Sequence, residues 1–526
     1  PMAGELAQGS LVTLELEDLS GGLTRWRGSK LRGALDGTAA YEEMRKARIF
    51  RKLSARVTGL EHVLDFTLTL DRLIVMAGRR AALGLYDVSD TRFVIVAETS
   101  TAEAERSPLW GARGRMERRE HAGVPYFLIP DTPRRRGAAL ALVGDRLVFG
   151  NDLDAFRQTL LLAARAAGRA TRQAPGPAVA ADPRYRRLRE ASPRDLFARV
   201  FVDQSKLSGT RQFDDRWIFD PKVAATVDAA LLGLRFDAGA VVETRAYTYG
   251  TPAGRPAITT PPPAAGFGHG DADALARALG FAPSVAVGPT DAAAAGRDLA
   301  DLLGATAEAD AKRLTGLLAP ARPVRSVEVA DPAARVGVRA YDRAAVALVL
   351  ESPAALGGGL GPLEAAVLEL ATRGLAVGGT AGATWVDEGG LRVLRVPLVE
   401  ERRLTLDLQP GGVLVVATDP DLARRVRAAL GPLAPWLRPG APLALRLDVA
   451  RAGAYYASVT RLLASRGNWA RRDAAFFAEG VAGLRDLWPD GQDLVIAGYG
   501  AGDLYLEEVH YRDRPATPPL TRPGNP

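Results

Sequence analysis

The sequence predicts an α+β fold built as two tandem copies of one unit, each a mostly antiparallel sheet with helices packed against it. Three observations predict it: segments that recur in a fixed order, alternating strands joined by tight turns, and a proline-rich seam between the copies.

The recurrence is visible residue by residue. AALGLYDVSDTRFVIVAETS (81–100) matches ARVGVRAYDRAAVALVLES (334–352), with Tyr86-Asp87 on Tyr341-Asp342 and Glu98-Thr99-Ser100 near Glu351-Ser352. LVFGNDLDAF (147–156) matches LVVATDPDLA (414–423), which sets Asp152 on Asp419 and Asp154 on Asp421. ARVFVDQSK (198–206) matches LALRLDVAR (443–451), and LRFDAGAVVETRAY (234–247) matches IAGYGAGDLYLEEVHYR (496–512). The offset moves from 255 (86 to 341) to 267 (152 to 419) and back to 245 (203 to 448). Loops that change length while the order of elements stays fixed are the mark of an internal duplication.

LVTLELE (11–17) alternates, placing Val12, Leu14 and Leu16 on one face and Thr13, Glu15 and Glu17 on the other. That pattern predicts a half-buried strand in an antiparallel sheet with one wet face. Residues 81–87 and 92–98 flank Asp87-Val88-Ser89-Asp90-Thr91, a hairpin connection, and 138–143 and 146–150 flank Gly144-Asp145. The matching turn of the second copy is Gln409-Pro410-Gly411-Gly412. Asn151-Asp152 and Thr418-Asp419 then precede DAFRQTLLLAARAA and DLARRVRAAL, N-capping residues ahead of apolar stripes at helical spacing. Further helices are expected over Tyr41–His62, Asp271–Leu279, Asp291–Leu303 and Gly361–Thr372. Hairpins interleaved with helices, without a regular βαβ alternation, favour α+β.

TPAGRPAITTPPPAAG (251–266) holds five prolines among small residues and reads as a semi-rigid linker. The expected division is therefore a first repeat over 1–250, a linker over 251–266, a second repeat over 267–512 and a disordered tail over 513–526.

Composition bounds the chemistry. With 526 residues, 47% of them hydrophobic, the chain can bury two or more cores, and no run of 18 apolar residues predicts a spanning helix. Cysteine is absent, which excludes disulfides, thiolate metal sites and cysteine nucleophiles and suits an oxidising compartment. Up to Arg245 there are 39 Lys+Arg against 31 Asp+Glu, leaving 29 and 30 of the totals of 68 and 61 for the rest. The basic excess thus lies in the first copy, where it can attract an anionic partner. The opening PMAGELAQGS has no basic or apolar leader pattern, and Pro1 ahead of Met2 suggests a trimmed start, so a periplasmic or extracytoplasmic location is expected, with the cytoplasm as the alternative.

The four histidines, His62, His121, His269 and His510, form no pair at ligand spacing, so neither a metal nor a cofactor is expected. No phosphate-binding loop or nucleophile elbow occurs, and the glycines at 357–361 and 498–502 lack the strand-to-helix setting such motifs need. FDDRWIFD (213–220) gathers Asp214, Asp215 and Asp220, which leaves a metal-dependent hydrolase as one alternative. The pairs Asp152/Asp154 and Asp419/Asp421 sit where helix caps belong. Two arginine runs flank GVPYFLIP (123–130): Arg113, Arg115, Arg118 and Arg119 before it, Arg134, Arg135 and Arg136 after it. One strand between them would make them neighbours, a basic patch for a protein or an anionic lipid surface. Nucleic acid is not expected, because aromatics are 6% of residues and do not interleave with arginine.

The opening strand SLVTLELEDL (10–19), the hairpin ALGLYDVSDTRFVIVAE (82–98) and the strand-turn-helix GAALALVGDRLVFGNDLDAFRQTL (137–160) resemble an uncharacterised family of bacterial cell-envelope proteins, a domain of unknown function. With their second-copy equivalents these segments span most of residues 10–512. The resemblance implies a duplicated α+β ectodomain behind an N-terminal signal or anchor, which this sequence lacks; a trimmed anchor would make the protein membrane-associated. It implies no activity. The function expected is non-enzymatic binding or scaffolding in the envelope, with a lipid or other apolar-ligand carrier as a further alternative.

Overall fold

The computed structural model describes residues 2–28, 79–132, 137–210, 227–237, 240–250, 258–261, 284–305, 307–336, 341–356, 360–373, 382–397, 402–431, 433–448 and 492–513, with a few positions between 54 and 69. They group into two compact units, one within residues 1–255 and the other within 256–451 and 491–526. The chain is α+β, with helices packed on large antiparallel sheets.

Unit 1 has strands β1 (Val12–Leu16), β2 (Arg80–Asp87), β3 (Arg92–Glu98), β4 (Glu117–His121), β5 (Val124–Ile129), β6 (Ala138–Val143), β7 (Arg146–Gly150), β8 (Ala198–Val202), β9 (Val227–Asp237) and β10 (Ala240–Tyr249). They pair antiparallel in the order β4-β5-β6-β7-β3-β2-β1-β8-β9-β10. Its helices are α1 (Leu19–Gly28), α2 (Thr101–Arg106), α3 (Pro108–Gly111), α4 (Leu153–Ala166), α5 (Pro183–Ala191) and α6 (Gln204–Ser208). The helix α4 starts at Asp152, whose carboxylate accepts from the Ala155 amide at 3.0 Å, and buries Phe156, Thr159 and Leu160–Ala164 against the sheet. The turn predicted at Gly144-Asp145 is present, with Gly144 at φ 59°, a conformation glycine adopts without cost.

Unit 2 has strands β11 (Ser284–Pro289), β12 (Pro323–Val336), β13 (Tyr341–Leu350), β14 (Thr384–Glu388), β15 (Leu391–Val396), β16 (Arg402–Leu408), β17 (Val413–Ala417), β18 (Leu443–Asp448), β19 (Gln492–Ala501) and β20 (Leu504–Asp513). Their antiparallel order is β14-β15-β16-β17-β13-β12-β11-β18-β19-β20, the order of unit 1 strand for strand. The helices are α7 (Ala292–Leu303), α8 (Glu308–Leu318), α9 (Gly361–Thr372) and α10 (Pro420–Leu430). Ile258, inside the segment predicted as a linker, is buried and bridges to Gly440 of this unit.

Two expectations are corrected. The sheet of unit 2 has no wet face at its centre: Val413, Val415 and Ala417 pack against Leu422, Val426 and Leu430 of α10, while Leu414 and Val416 pack on the other side with Leu299, Leu314 and Leu370. Helices cover both faces, so β17 is apolar throughout instead of alternating. In β1 the buried residues are Thr13 and Glu15, the pair expected to face water. The strand lies between β2 and β8, and the N-terminal turn and α5 cover its polar side, where Glu15 accepts from the Ala3 amide at 2.8 Å and from Tyr185.

The match of Tyr86 with Tyr341 also fails in detail. Tyr86 lies near the end of β2 and Tyr341 begins β13, on opposite sides of the corresponding hairpins. The pairing of β12 with β13 also shifts register between Asp331 and Arg335.

Candidate functional site

The predicted basic patch is described only in part. Arg113 sits in a single 3-10 turn (Ala112–Arg115), its guanidinium 4.8 Å above the Trp110 ring and bonded to the Trp110 carbonyl at 2.8 Å. Arg115 is exposed. Arg118 and Arg119 are exposed on β4, which pairs with β5, and Arg119 bonds Glu117 at 2.5 Å. Along β4 the charges run Glu117, Arg118, Arg119, Glu120, so this stretch is of mixed sign. Arg134, Arg135 and Arg136 lie outside the described residues, as do Asp214, Asp215 and Asp220 of the acidic cluster and His269. Asp419 caps α10 through the Asp421 amide at 2.8 Å, as Asp152 caps α4.

The structure brings together a different set of residues. Tyr86 of β2, His121 at the end of β4, Asp152, Asp154, Arg157 and Gln158 at the start of α4, and the chain at Ala7-Gln8 line an open cavity of about 600 Å³ in unit 1. That volume lies within the range of small-molecule clefts, about 300–1,000 Å³.

Each wall has an identifiable local cause. The capping of α4 by Asp152 fixes the first turn, and spacings of three and four residues then place Asp154, Arg157 and Gln158 near one another. The Tyr126 ring packs on Phe156 with centroids 5.6 Å apart and presents its hydroxyl to Arg157 Nη2 at 3.4 Å. Tyr86 donates to the Ala7 carbonyl at 2.8 Å. Burial pushes the Tyr86 hydroxyl well above the usual range, the Thr159 hydroxyl opposes that, and the charge of Asp152 adds to it. Tyr86 therefore stays protonated.

The nitrogen atoms of the cavity are under-satisfied. Among the described residues, His121 Nε2 and Arg157 Nε are both buried and neither has a hydrogen-bond partner. The carboxylate that pairs with Arg157 among the described residues is Asp154, 3.9 Å away and almost wholly exposed. Desolvation, and then the positive charge of Arg157, hold His121 below the ordinary histidine range, so the ring is neutral at neutral pH. Buried polar nitrogens without partners cost about 1–3 kcal/mol each, a cost that a bound polar group removes. One oxygen of Asp152 is taken by the Ala155 amide, and Gln158 accepts from the Gly176 amide at 3.1 Å while keeping its own amide donors.

Spacing in the sequence carries no sign of this site. Tyr86, His121 and Arg157 lie on three elements far apart in the chain, and His121 reads there as an isolated histidine. The one local signal is the mixed polar first turn Asp154, Arg157, Gln158.

Unit 2 has polar groups of another kind. Arg325 is fully buried and donates to the carbonyls of Trp436 at 3.1 Å, Ala441 at 3.0 Å and Pro442 at 2.7 Å, and burial alone pulls its pKa down to about 10. Asp298 and Asp301 of α7 and Glu328 of β12 form an acidic group. Desolvation raises Asp298 to about 6 against the pull of Arg297, with Asp301 and Asp291 adding to the rise. Glu328 is raised to about 7 by the packed surroundings of its stem and by the charges of Asp298 and Asp301, although its side chain is exposed. Among the described residues no group of His, Asp or Glu has the geometry to hold a metal ion, and no helix is long and apolar enough to cross a membrane.

No protein-family profile and no curated protein matches the chain. Among solved structures, crystal form I of TP0453 is similar at 9% identity over 48% of this chain and 79% of that one, with a TM-score of 0.24. Crystal form III of TP0453 is similar at 10% identity over 53% of this chain and 87% of that one, with the same TM-score of 0.24. A likeness that loose carries no argument about fold or function.

Proposed function

We propose that the chain is a non-enzymatic binding protein of the bacterial cell envelope, built from a duplicated α+β unit whose first copy carries the binding site. The observation that supports binding is the unit 1 cavity, where His121 Nε2 and Arg157 Nε are buried without partners in an open polar cleft. Support for the duplication comes from the common strand order, with β1 to β10 running as β11 to β20 do. Polar lining favours a polar ligand over the apolar cargo of a carrier. The exposed Arg115 and Arg118 favour a second contact, with an anionic lipid surface or an acidic protein, although Glu117 and Glu120 dilute that charge.

Calorimetric titration with small polar metabolites tests the binding half: saturable heat that Arg157→Ala removes is the expected result, and titrations unaffected by Arg157→Ala overturn it. Cell fractionation of the full-length gene product tests the location, where a purely cytoplasmic protein overturns the envelope assignment. Co-sedimentation with anionic liposomes, with Arg134, Arg135 and Arg136 changed to serine, tests the second contact. Loss of binding and steep weakening by salt are expected, since screening acts beyond about 8 Å at physiological ionic strength.

A further inference from the structure

We propose that the unit 1 cavity takes a small zwitterion, an α-amino acid or short peptide, with its carboxylate on Arg157 and His121 and its ammonium on Asp152 and Asp154. This rests on the reading of the cavity as a ligand site and adds the class of ligand.

Charge complementarity carries the choice. A cavity with one sign of charge selects an ion of the other sign, but this one has both. Arg157 supplies a buried, unpartnered N–H, His121 a buried, unpartnered Nε2 that donates in its Nε2–H tautomer, and Gln158 adds an amide whose oxygen alone is occupied. Asp152 and Asp154 supply carboxylate oxygens on the same helix end, Asp154 within one turn of Arg157 and Asp152 at the cap before it. Only one Asp152 oxygen is used by the helix cap, and Asp154 makes a single loose pair with Arg157 at 3.9 Å.

A dicarboxylate would satisfy the nitrogens and be repelled by the aspartates. A diamine would meet Asp152 and Asp154 and be repelled by Arg157. A ligand with an ammonium and a carboxylate satisfies both walls. The amides at the start of α4 add little, because Asp152 already occupies that of Ala155. Tyr86 is committed to the Ala7 carbonyl, so it shapes the floor instead of recognising charge. A volume of about 600 Å³ leaves room beyond an amino-acid backbone, which suits a large side chain or a second residue.

The experiment is calorimetric titration of the full chain with the twenty free amino acids, alanyl-alanine, succinate and 1,4-diaminobutane. Binding of at least one zwitterion is expected, with N-acetylation or C-terminal amidation of that ligand weakening it tenfold or more. Arg157→Ala is expected to weaken it tenfold or more and Asp154→Asn about threefold. Asp154 is 98% exposed, so its substitution leaves the fold intact and its effect reads binding alone. Free amino acids against the dipeptide distinguish the two sources of the zwitterion. If succinate binds at least as tightly and Asp154→Asn tightens it, the cavity is an anion site: the zwitterion is overturned and the binding reading stands. If no compound gives heat that Arg157→Ala removes, both are overturned.

Discussion

Glu15 accepts a hydrogen bond from the hydroxyl of Tyr185, joining residues 170 positions apart at the centre of unit 1. Both are almost fully buried, and the same carboxylate takes the Ala3 amide at 2.8 Å and Arg189 Nη1 at 3.4 Å. Burial, with the charge of Glu15 second, pushes the Tyr185 hydroxyl far above its ordinary range, so it remains a donor at every physiological pH. Tyr185→Phe removes one such bond and is expected to cost about 1–2 kcal/mol. Glu15→Ala strands three donors and is expected to cost about 3 kcal/mol or more. Urea unfolding of the two variants measures both, and equal losses below 0.5 kcal/mol (about the scatter of surface substitutions) would show that the network does not hold β1 in place.

Arg325 invites the corresponding test in unit 2. Among the described residues its guanidinium has no carboxylate at hand, and it gathers the carbonyls of Trp436, Ala441 and Pro442. Arg325→Met keeps the bulk and leaves two buried acceptors and one half-buried acceptor open, a buried one costing about 1–3 kcal/mol. Loss of about 3 kcal/mol or more is expected, with faster proteolysis within 433–442. Arg325→Lys should recover part of this, because an ammonium has three donors but lacks the fork that spans three carbonyls.

The fold was legible in the sequence where period and turn chemistry are local. Asp152 and Asp419 cap helices as their positions predict, and Gly361–Thr372 is a helix at its predicted bounds. What was not legible depended on what covers a face. Alternation in β1 tells which residues share a side but not which side is wet, and the polar side is the covered one because Tyr185 and Arg189 bring partners for Glu15 from far along the chain. The cavity was hidden for the same reason: Tyr86, His121 and Arg157 meet only once β2, β4 and α4 have packed.

Acidification is expected to stabilise unit 2 locally. Asp298, raised to about 6, and Glu328, raised to about 7, bind protons more readily folded than unfolded. Between the ordinary carboxylate pKa and these values the folded state therefore holds more protons. Stability then falls as pH rises from about 4 to 7. Asp298→Asn removes one charge of the group, so it is expected to raise the melting temperature at pH 8 and to flatten the dependence between pH 5 and 7. Thermal melts across that range decide it, and a variant with an unchanged slope would mean that solvent already screens these carboxylates.

The two capping aspartates should differ in value. Among the described residues the Asp152 carboxylate accepts the Ala155 amide, at 3.0 Å, while Asp419 accepts the Asp421 amide at 2.8 Å and also pairs with Arg343 of β13. Loss of a cap costs about 1 kcal/mol, and the partly buried Arg343 pair ties α10 to the sheet as well. Asp152→Ala is therefore expected to cost about 1 kcal/mol and Asp419→Ala about 2 kcal/mol, the latter combining the cap with a partly buried ion pair. Because two units need not unfold together, hydrogen exchange resolved by helix is the suitable measurement. Faster exchange confined to the first turn of α4 is expected for Asp152→Ala. For Asp419→Ala it should extend through α10 and into β13. Equal and local effects at both helices would show that Arg343 adds nothing to the cap.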